Sequence, residues 1–543
     1  MFETARAYLP GDVGVWYQEQ TDKMKDPGYK EVDLSFEEVK ERTIIVLITI
    51  STKMKTEIDE FFENTNILIT GGTGFMGKVL VEKLLRSQSN INKIYLLIRS
   101  KKGKLIEDRV KKDVFDQPVF EKVKEMYPTF MEKIAIIPGD ISKPELGLSE
   151  QDKLILQNEI NIVFNSAASL NMNGSLKDNI KSNLIGVLEL LDLCRNMKNL
   201  KSVVIISTAY SNVNRKVIPE KICKSTLNPD LVIRMCDELD SKTLEKITPL
   251  ILDGHPNTYT FSKSLMENVL QRYKDLPIVL FRPALVMPAY KEPLFGWVDN
   301  FNGIVGMCLA NGLGILRVVY VGSENRGNWV PVDTCTNALI CSAAHGIRNR
   351  KSADDIAVYN YACGKNNKRW VDLLAGMHNS PVKLYQCIWM PWYTCTDTLF
   401  KFRFLCFFLH FLPALLIDPI LALSGSKLRL MKIYNERIYS FVDVFSFFAV
   451  KEWTMHEENT EQMWRDLTQA EQEKYFFDIN SIDFNTLIES ICSGVKVYLA
   501  KEKIEDNFKA ARKQKIFAVA HYTLLLLLIS GMLWITLIIL RQF

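Results

Sequence analysis

Short apolar runs rich in β-branched and aliphatic residues recur through the first half of the chain, at Asn66–Thr70, Lys93–Ile98, Lys133–Ile137, Asn161–Phe164, Ser202–Ile206 and Pro277–Phe281. Between them the apolar positions return at helical spacing, as Val79, Leu80, Leu84 and Leu85 do after the first run. Strands that alternate with helices pair in parallel through right-handed crossovers. The pattern therefore predicts an α/β fold built on a doubly wound parallel sheet, with ligands held beyond the carboxyl ends of the strands.

Two longer apolar stretches follow. Ile516–Leu540 carries no formal charge over 25 residues, and at 1.5 Å per residue it is roughly 37 Å long, enough to cross a bilayer core. Lys509, Arg512, Lys513 and Lys515 precede it and only Arg541 follows, so the positive-inside bias predicts a tail anchor with the bulk of the chain in the cytosol. The endoplasmic reticulum is the default destination and the peroxisome the alternative. Leu399–Leu423 is also apolar but is interrupted by Lys401, Arg403, His410, Pro413, Asp418 and Pro419. Two readings stay open for it: a helix pair lying on or dipping into a lipid membrane, and a buried helical hairpin. Residues 1–58 are an N-terminal extension without regular patterning, apart from a short apolar run at Thr43–Ile50.

Length and charge narrow the function. With 543 residues the chain holds more than one domain, and a net charge of +4 with acids and bases interspersed gives no nucleic-acid-binding face. The 11 cysteines form no CxxC pair and no Cys/His cluster at zinc-ligand spacing, which suits reduced, buried thiols and no metal site.

Candidate chemistry begins directly after the first strand, where Gly71, Gly74 and Gly77 stand three apart and open a helix. The first permits a tight turn, the second lets the backbone approach a pyrophosphate, and the third packs helix on strand, the arrangement of a Rossmann-type dinucleotide site. After the second strand comes Arg99-Ser100-Lys101-Lys102, where a fold specific for NAD usually places an acid. A basic cluster there suits the 2′-phosphate of NADPH, and a solvated basic loop is the alternative. Asp140 and Ile141 end the third strand where an adenine would rest, though Asp140 also reads as a helix cap. Small residues, Asn165 to Ala168, end the fourth strand, and Thr208 follows the fifth with a hydroxyl at the crevice. Tyr259 and Lys263 lie four apart on one face of a helix that starts after Asn257. A lysine ammonium there can bind ribose hydroxyls and lower the phenol's pKa, making Tyr259 a proton donor near neutral pH.

These residues resemble the extended short-chain dehydrogenases/reductases, and more closely the alcohol-forming fatty acyl-CoA reductases. The likeness is carried by Ile67–Arg86, Val163–Leu170, Ser207–Asn212, Pro256–Lys263, Phe281–Asp299, Gly303 and Val330–Ala338, and spans about Asp59 to Lys503. The resemblance implies an NADP-binding reductase domain over residues 59–370 and a smaller helical C-terminal domain over 371–510, where Trp464, Phe476, Phe477, Asp478, Ile482 and Asp483 match. It implies NADPH-dependent reduction of long-chain acyl-CoA to fatty alcohol, with Tyr259 as proton donor, Lys263 as cofactor anchor and Thr208 as a carbonyl-orienting hydroxyl. Thr73, Phe75 and Pro283 would join Gly71, Gly74, Gly77, Arg99, Asp140, Ile141 and Lys263 around the cofactor. Asn165 departs from the pattern, since the family more often has histidine there. A membrane-bound steroid or sugar-nucleotide dehydrogenase or epimerase would share the same glycines, Thr208, Tyr259 and Lys263, and a silent NADP-binding scaffold is a third reading. Oligomeric state is open, a homo-oligomer included.

Overall fold

A computed structural model describes residues 56–100, 105–350, 352 and 355–542. The Thr43–Ile50 run and the Lys101-Lys102 pair lie outside the described residues. Seven strands form the main sheet: β1 (Asn66–Thr70), β2 (Lys93–Ile98), β3 (Ile134–Pro138), β4 (Ile162–Asn165), β5 (Ser202–Ile206), β6 (Ile278–Pro283) and β7 (Ala357–Tyr361). All pairings are parallel and the spatial order is β7-β6-β5-β4-β1-β2-β3.

Period-two alternation within each apolar run feeds two separate cores. Ile67, Ile69, Leu96, Phe164, Val204 and Phe281 face one layer, whereas Leu68, Leu97, Val163, Val203 and Leu280 face the other. The first layer is closed by α1 (Phe75–Ser87) and α4 (Val332–Arg348), whose Val79, Leu80, Leu84, Leu339 and Ile340 are buried. The second includes α2 (Thr258–Val269) through Leu265, Met266 and Val269. Burial on both faces is why these strands read as unbroken apolar runs.

Beyond β6 the chain adds α3 (Ile304–Gly312), α5 (Trp370–Asn379), α6 (Leu399–Leu423), α7 (Phe484–Gly494) and α8 (Asn507–Gln542). The Glu292–Asn300 stretch is clamped to α1. Lys83 Nζ and Arg86 Nη2 reach the Glu292 carboxylate at 2.6 and 2.9 Å, and Lys78 Nζ reaches Asp299 at 2.8 Å. Gly296, at φ +71°, lies against α7: a Cβ on Gly494 would fall 1.9 Å from the Gly296 carbonyl oxygen, so only two glycines allow this contact.

Both readings of Leu399–Leu423, the helix pair and the buried hairpin, are overturned in requiring two helices. α6 is one continuous helix with a π turn at Phe407–Phe411. Phe402, Cys406, His410 and Ala414, four apart, form a single buried stripe, while Phe400, Phe404, Leu415, Leu416, Ile420 and Leu423 are exposed. His410 belongs to the stripe because its Nε2 accepts the Arg317 N–H at 2.9 Å and its ring stacks on Tyr434. Asp418 caps the next helix, accepting the Leu430 and Met431 N–H groups at 2.7 and 3.0 Å. α8 extends the expected Ile516–Leu540 span back to Asn507; Ala510 is buried and Phe517 and Ala518 are half-buried against the body, while the apolar side chains from Tyr522 to Leu540 are exposed. α6 and α8 are the two helices among the described residues long and apolar enough to cross a membrane.

Candidate active site

The sheet order reverses between β1 and β4, and the crevice opens at their carboxyl ends. Thr70 and Asn165 are in register there. The Thr70 hydroxyl donates to Asn165 Oδ1 at 2.6 Å and accepts the Ala167 N–H at 3.1 Å. Asn165 Nδ2 is buried with no protein partner, an orphaned donor beside the glycine loop. Gly71 adopts φ +73°, and a Cβ on it would lie 2.6 Å from Ala167 N. One on Gly77 would lie 2.2 Å from the Gly71 carbonyl. α1 starts at Phe75 with Gly74 as an N-cap that supplies no side-chain acceptor, which leaves its first N–H groups for an anion. A narrow cradle, an uncapped helix end and an orphaned amide together fit a dinucleotide.

Around this cradle the other residues take distinct places. Thr73 is half-buried, and the Phe75 ring stacks on Trp297 at 5.3 Å, which commits its side chain to packing. Arg99 is exposed after β2, and its carbonyl accepts the guanidinium of the buried Arg109. Asp140 caps no helix; its Oδ1 closes a local turn by accepting the Ser142 N–H at 3.0 Å and hydroxyl at 2.8 Å. The Ile141 carbonyl would lie 2.3 Å from a Cβ on Gly186, so backbone and helix meet closely there. Pro283 is buried at the end of β6, and its carbonyl accepts the Ala209 N–H at 2.9 Å, next to Thr208.

α2 supplies the reactive face. Asn257 caps it by accepting the Thr260 N–H at 2.9 Å. Tyr259, Lys263 and Glu267 then recur every four residues toward the end of β5, all buried. The Tyr259 phenol lies near the Thr208 hydroxyl, which acts to lower its pKa. Lys263 Nζ donates to the Ile206 carbonyl at 2.9 Å. Glu267 accepts the Ser207 hydroxyl at 2.6 Å, Asn212 Nδ2 at 3.0 Å and the Arg282 guanidinium at 2.9 and 2.7 Å. Asn183 ties the loop after β4 to α2 through Ser169 and Ser262.

Electrostatics correct one expectation. Burial pushes the Tyr259 phenol up, and the opposing influence is the Thr208 hydroxyl, since the Lys263 amine is directed at a carbonyl. Burial also pushes Lys263 down to about 8, with the Glu267 charge opposing it. Burial would raise Glu267, but Arg282 and the Ser207 and Ser211 hydroxyls hold it below the usual carboxylate range. Glu267 and Arg282 went unread as site residues. The signal was available, because Glu267 is the next step of the Tyr259, Lys263 series and Arg282 ends a predicted strand.

A doubly wound sheet, a glycine cradle and a buried Thr/Tyr/Lys set define a nicotinamide-dinucleotide-binding protein of the extended short-chain dehydrogenase/reductase type. Comparison agrees: an NAD-binding family model described as male sterility protein matches residues 69–339, and the Sterile model, with the same description, matches residues 409–502. The chain is 34% identical to fatty acyl-CoA reductase wat of Drosophila melanogaster over 90% of this chain and 95% of that protein. It is 33% identical to fatty acyl-CoA reductase 1 of Homo sapiens over 84% and 88%. Among solved structures it resembles the terminal R domain of the myxalamid PKS-NRPS pathway, at TM-score 0.54 and 18% identity over 80% of this chain and 91% of that one. The chain belongs to the fatty acyl-CoA reductases.

Proposed function

We propose that the chain reduces long-chain fatty acyl-CoA to fatty alcohol at the expense of NADPH, through a bound aldehyde, with Thr208, Tyr259 and Lys263 as its catalytic residues. The observation that carries the residue roles is the buried α2 face, where a phenol, a hydroxyl and an amine meet beside an orphaned amide and the glycine cradle. Reduced nicotinamide held at the cradle would supply the hydride, one cofactor molecule for the thioester carbonyl and a second for the aldehyde. Tyr259 and Thr208 donate hydrogen bonds to the carbonyl oxygen and stabilise the charge that develops on it. Loss of CoA thiol leaves the aldehyde in place, and Tyr259 protonates the alkoxide in the second round. Lys263, when charged, anchors the ribose. No buried cysteine is needed as nucleophile, and burial pushes Cys194, Cys335 and Cys363 up.

NADPH is favoured over NADH by Arg99 and the underlying Arg109 at the end of β2, where an acidic residue would otherwise hold a ribose diol. Gly71, Thr73, Gly74, Phe75, Gly77, Asp140, Ile141 and Pro283 complete the cofactor surround in this reading. Residues 59–370 form the reductase domain and 371–510 the helical domain. α8 crosses a bilayer with the catalytic body in the cytosol, and the exposed face of α6 rests on the same membrane. Membership of the reductase family counts against the dehydrogenase, epimerase and scaffold alternatives. The test is to supply membranes containing the protein with acyl-CoA and either cofactor, and to measure CoA release and alcohol. Tyr259→Phe, which removes only a hydroxyl, should cut turnover roughly 10²-fold; near-normal turnover would refute its role.

A further inference from the structure

A cavity of about 300 Å³ lies among α3, α5, α7, the 381–393 loop and α8. Met307, Leu316, Leu374, Met377 and Val495 give it apolar walls. Three of its polar neighbours spend donors elsewhere: Asn311 Nδ2 donates to the Trp392 carbonyl, Lys383 Nζ to the His378 carbonyl and Gln514 Nε2 to the Leu384 carbonyl. The lining that remains is mostly hydrocarbon, with His378, whose Nδ1 is buried without a protein partner, Tyr393 and Lys515 as its polar members, and with methionines able to adapt to a flexible occupant.

Two boundaries give this cavity its meaning. On one side α3 packs through Val305 into a cluster with Val298 and Phe75, the first residue of the glycine-loop helix. On the other side the wall is α8 itself, at Ala511, Lys515 and Ala518, where its charged turns give way to the apolar span. Trp389 donates to His521 at 3.1 Å and packs on Phe517 at 5.8 Å, and Lys513 donates to the Tyr385 carbonyl at 2.9 Å. Aromatic residues with polar tips at such a transition mark the headgroup level of a bilayer. The cavity thus lies between a helix that packs on the cofactor-binding body and the turn of α8 where its apolar span begins.

We propose that this cavity holds the distal methylenes of the fatty acyl chain and sets the chain-length preference, with the alcohol leaving along α8 into lipid. The proposal rests on the acyl-CoA reading above. Met377→Trp would fill the cavity from α5, and Ala518→Trp from the half-buried side of α8 without touching the core. The measurement is kcat/KM for acyl-CoAs from C8 to C20 in detergent. Either variant should lower the value for C18 at least tenfold relative to C10, the loss of about two buried methylenes, while C10 stays within twofold of wild type. An unchanged profile, or an equal loss at every length, overturns the proposal; should Met377→Trp fail to fold, Ala518→Trp decides. A second readout does not depend on turnover. Cys308 and Cys492 line the cavity, so octadecanol should slow their alkylation by N-ethylmaleimide and octanol should not. Equal protection by phospholipid alone would assign the space to membrane lipid and overturn the substrate assignment. If the wild-type protein reduces no acyl-CoA of any length, the functional reading fails, and the alkylation result still judges the cavity.

Discussion

Replacing Glu267 by Gln tests the least anticipated part of the site. Glu267 and Arg282 have side chains 1% and 0% exposed and meet through a two-pronged contact at 2.7 and 2.9 Å. The amide keeps one acceptor, loses the second and turns a donor toward the guanidinium, leaving a buried cation without its counter-charge. Breaking such a pair costs about 3–5 kcal/mol. At about 2 °C per kcal/mol for a chain of this size, the apparent unfolding midpoint should fall roughly 6–10 °C. A second consequence is electrostatic. The Glu267 charge is what opposes burial at Lys263, so the alkaline limb of kcat should move to lower pH in the variant. Differential scanning at fixed scan rate in detergent, with a kcat–pH profile on the same preparation, reads both effects. A midpoint drop below about 2 °C with an unmoved limb would refute the reasoning, since it would mean that Arg282 is neutralised elsewhere.

In the wild-type enzyme, kcat should fall as pH rises through about 8, where Lys263 loses its proton. Stability should move the other way. The folded state holds that proton less tightly than the unfolded chain, so the cost of burying the cation is present below about 8 and disappears toward the ordinary lysine value of about 10.4; urea midpoints at two pH values would show this. Arg99→Ala should raise KM for NADPH roughly tenfold and leave NADH nearly unchanged; equal effects on both would make Arg99 a surface residue only. Deleting Ile516 onward should convert carbonate-resistant membrane binding into a weaker, carbonate-sensitive association through the exposed face of α6, and full release into the soluble fraction would show that this face does not bind lipid.

Six of the seven main strands were legible because each is an unbroken apolar run, buried on both faces in all but the half-buried edge strand β3. β7, with the sequence AVYNY, was not. Its Asn360 is buried only because remote carbonyls of Ile218 and His456 accept its amide and Glu220 accepts its N–H, partners that no local pattern shows. The glycine cradle, Thr208, Tyr259 and Lys263 could be found because loop, strand end and helix spacing are local. The ionic link from Glu267 to Arg282 joins two elements, so no local pattern marks the acid as half of a pair. The lysine's effect on Tyr259 was misjudged for a similar reason: side-chain spacing puts the amine on the right face but does not reveal the Ile206 carbonyl that captures it. For α6, composition gave the apolar character correctly, whereas the docked stripe from Phe402 to Ala414 depends on Arg317 and Tyr434, far along the chain.

α8 runs without interruption from Asn507, where it is held by the body, to Gln542. Its contacts at Leu384, Tyr385 and Trp389 precede the fully exposed turns. A leash of flexible residues would let a catalytic head tumble and sample every orientation above a surface. A rigid mast stepped into the head instead fixes heading and draught, so under the proposed topology the same side of the protein always meets the lipid. Encounter with a membrane-dissolved substrate then becomes a search in two dimensions with the entrance already aimed, and the rotational part of the association cost is met once, when the helix inserts, and not at each turnover.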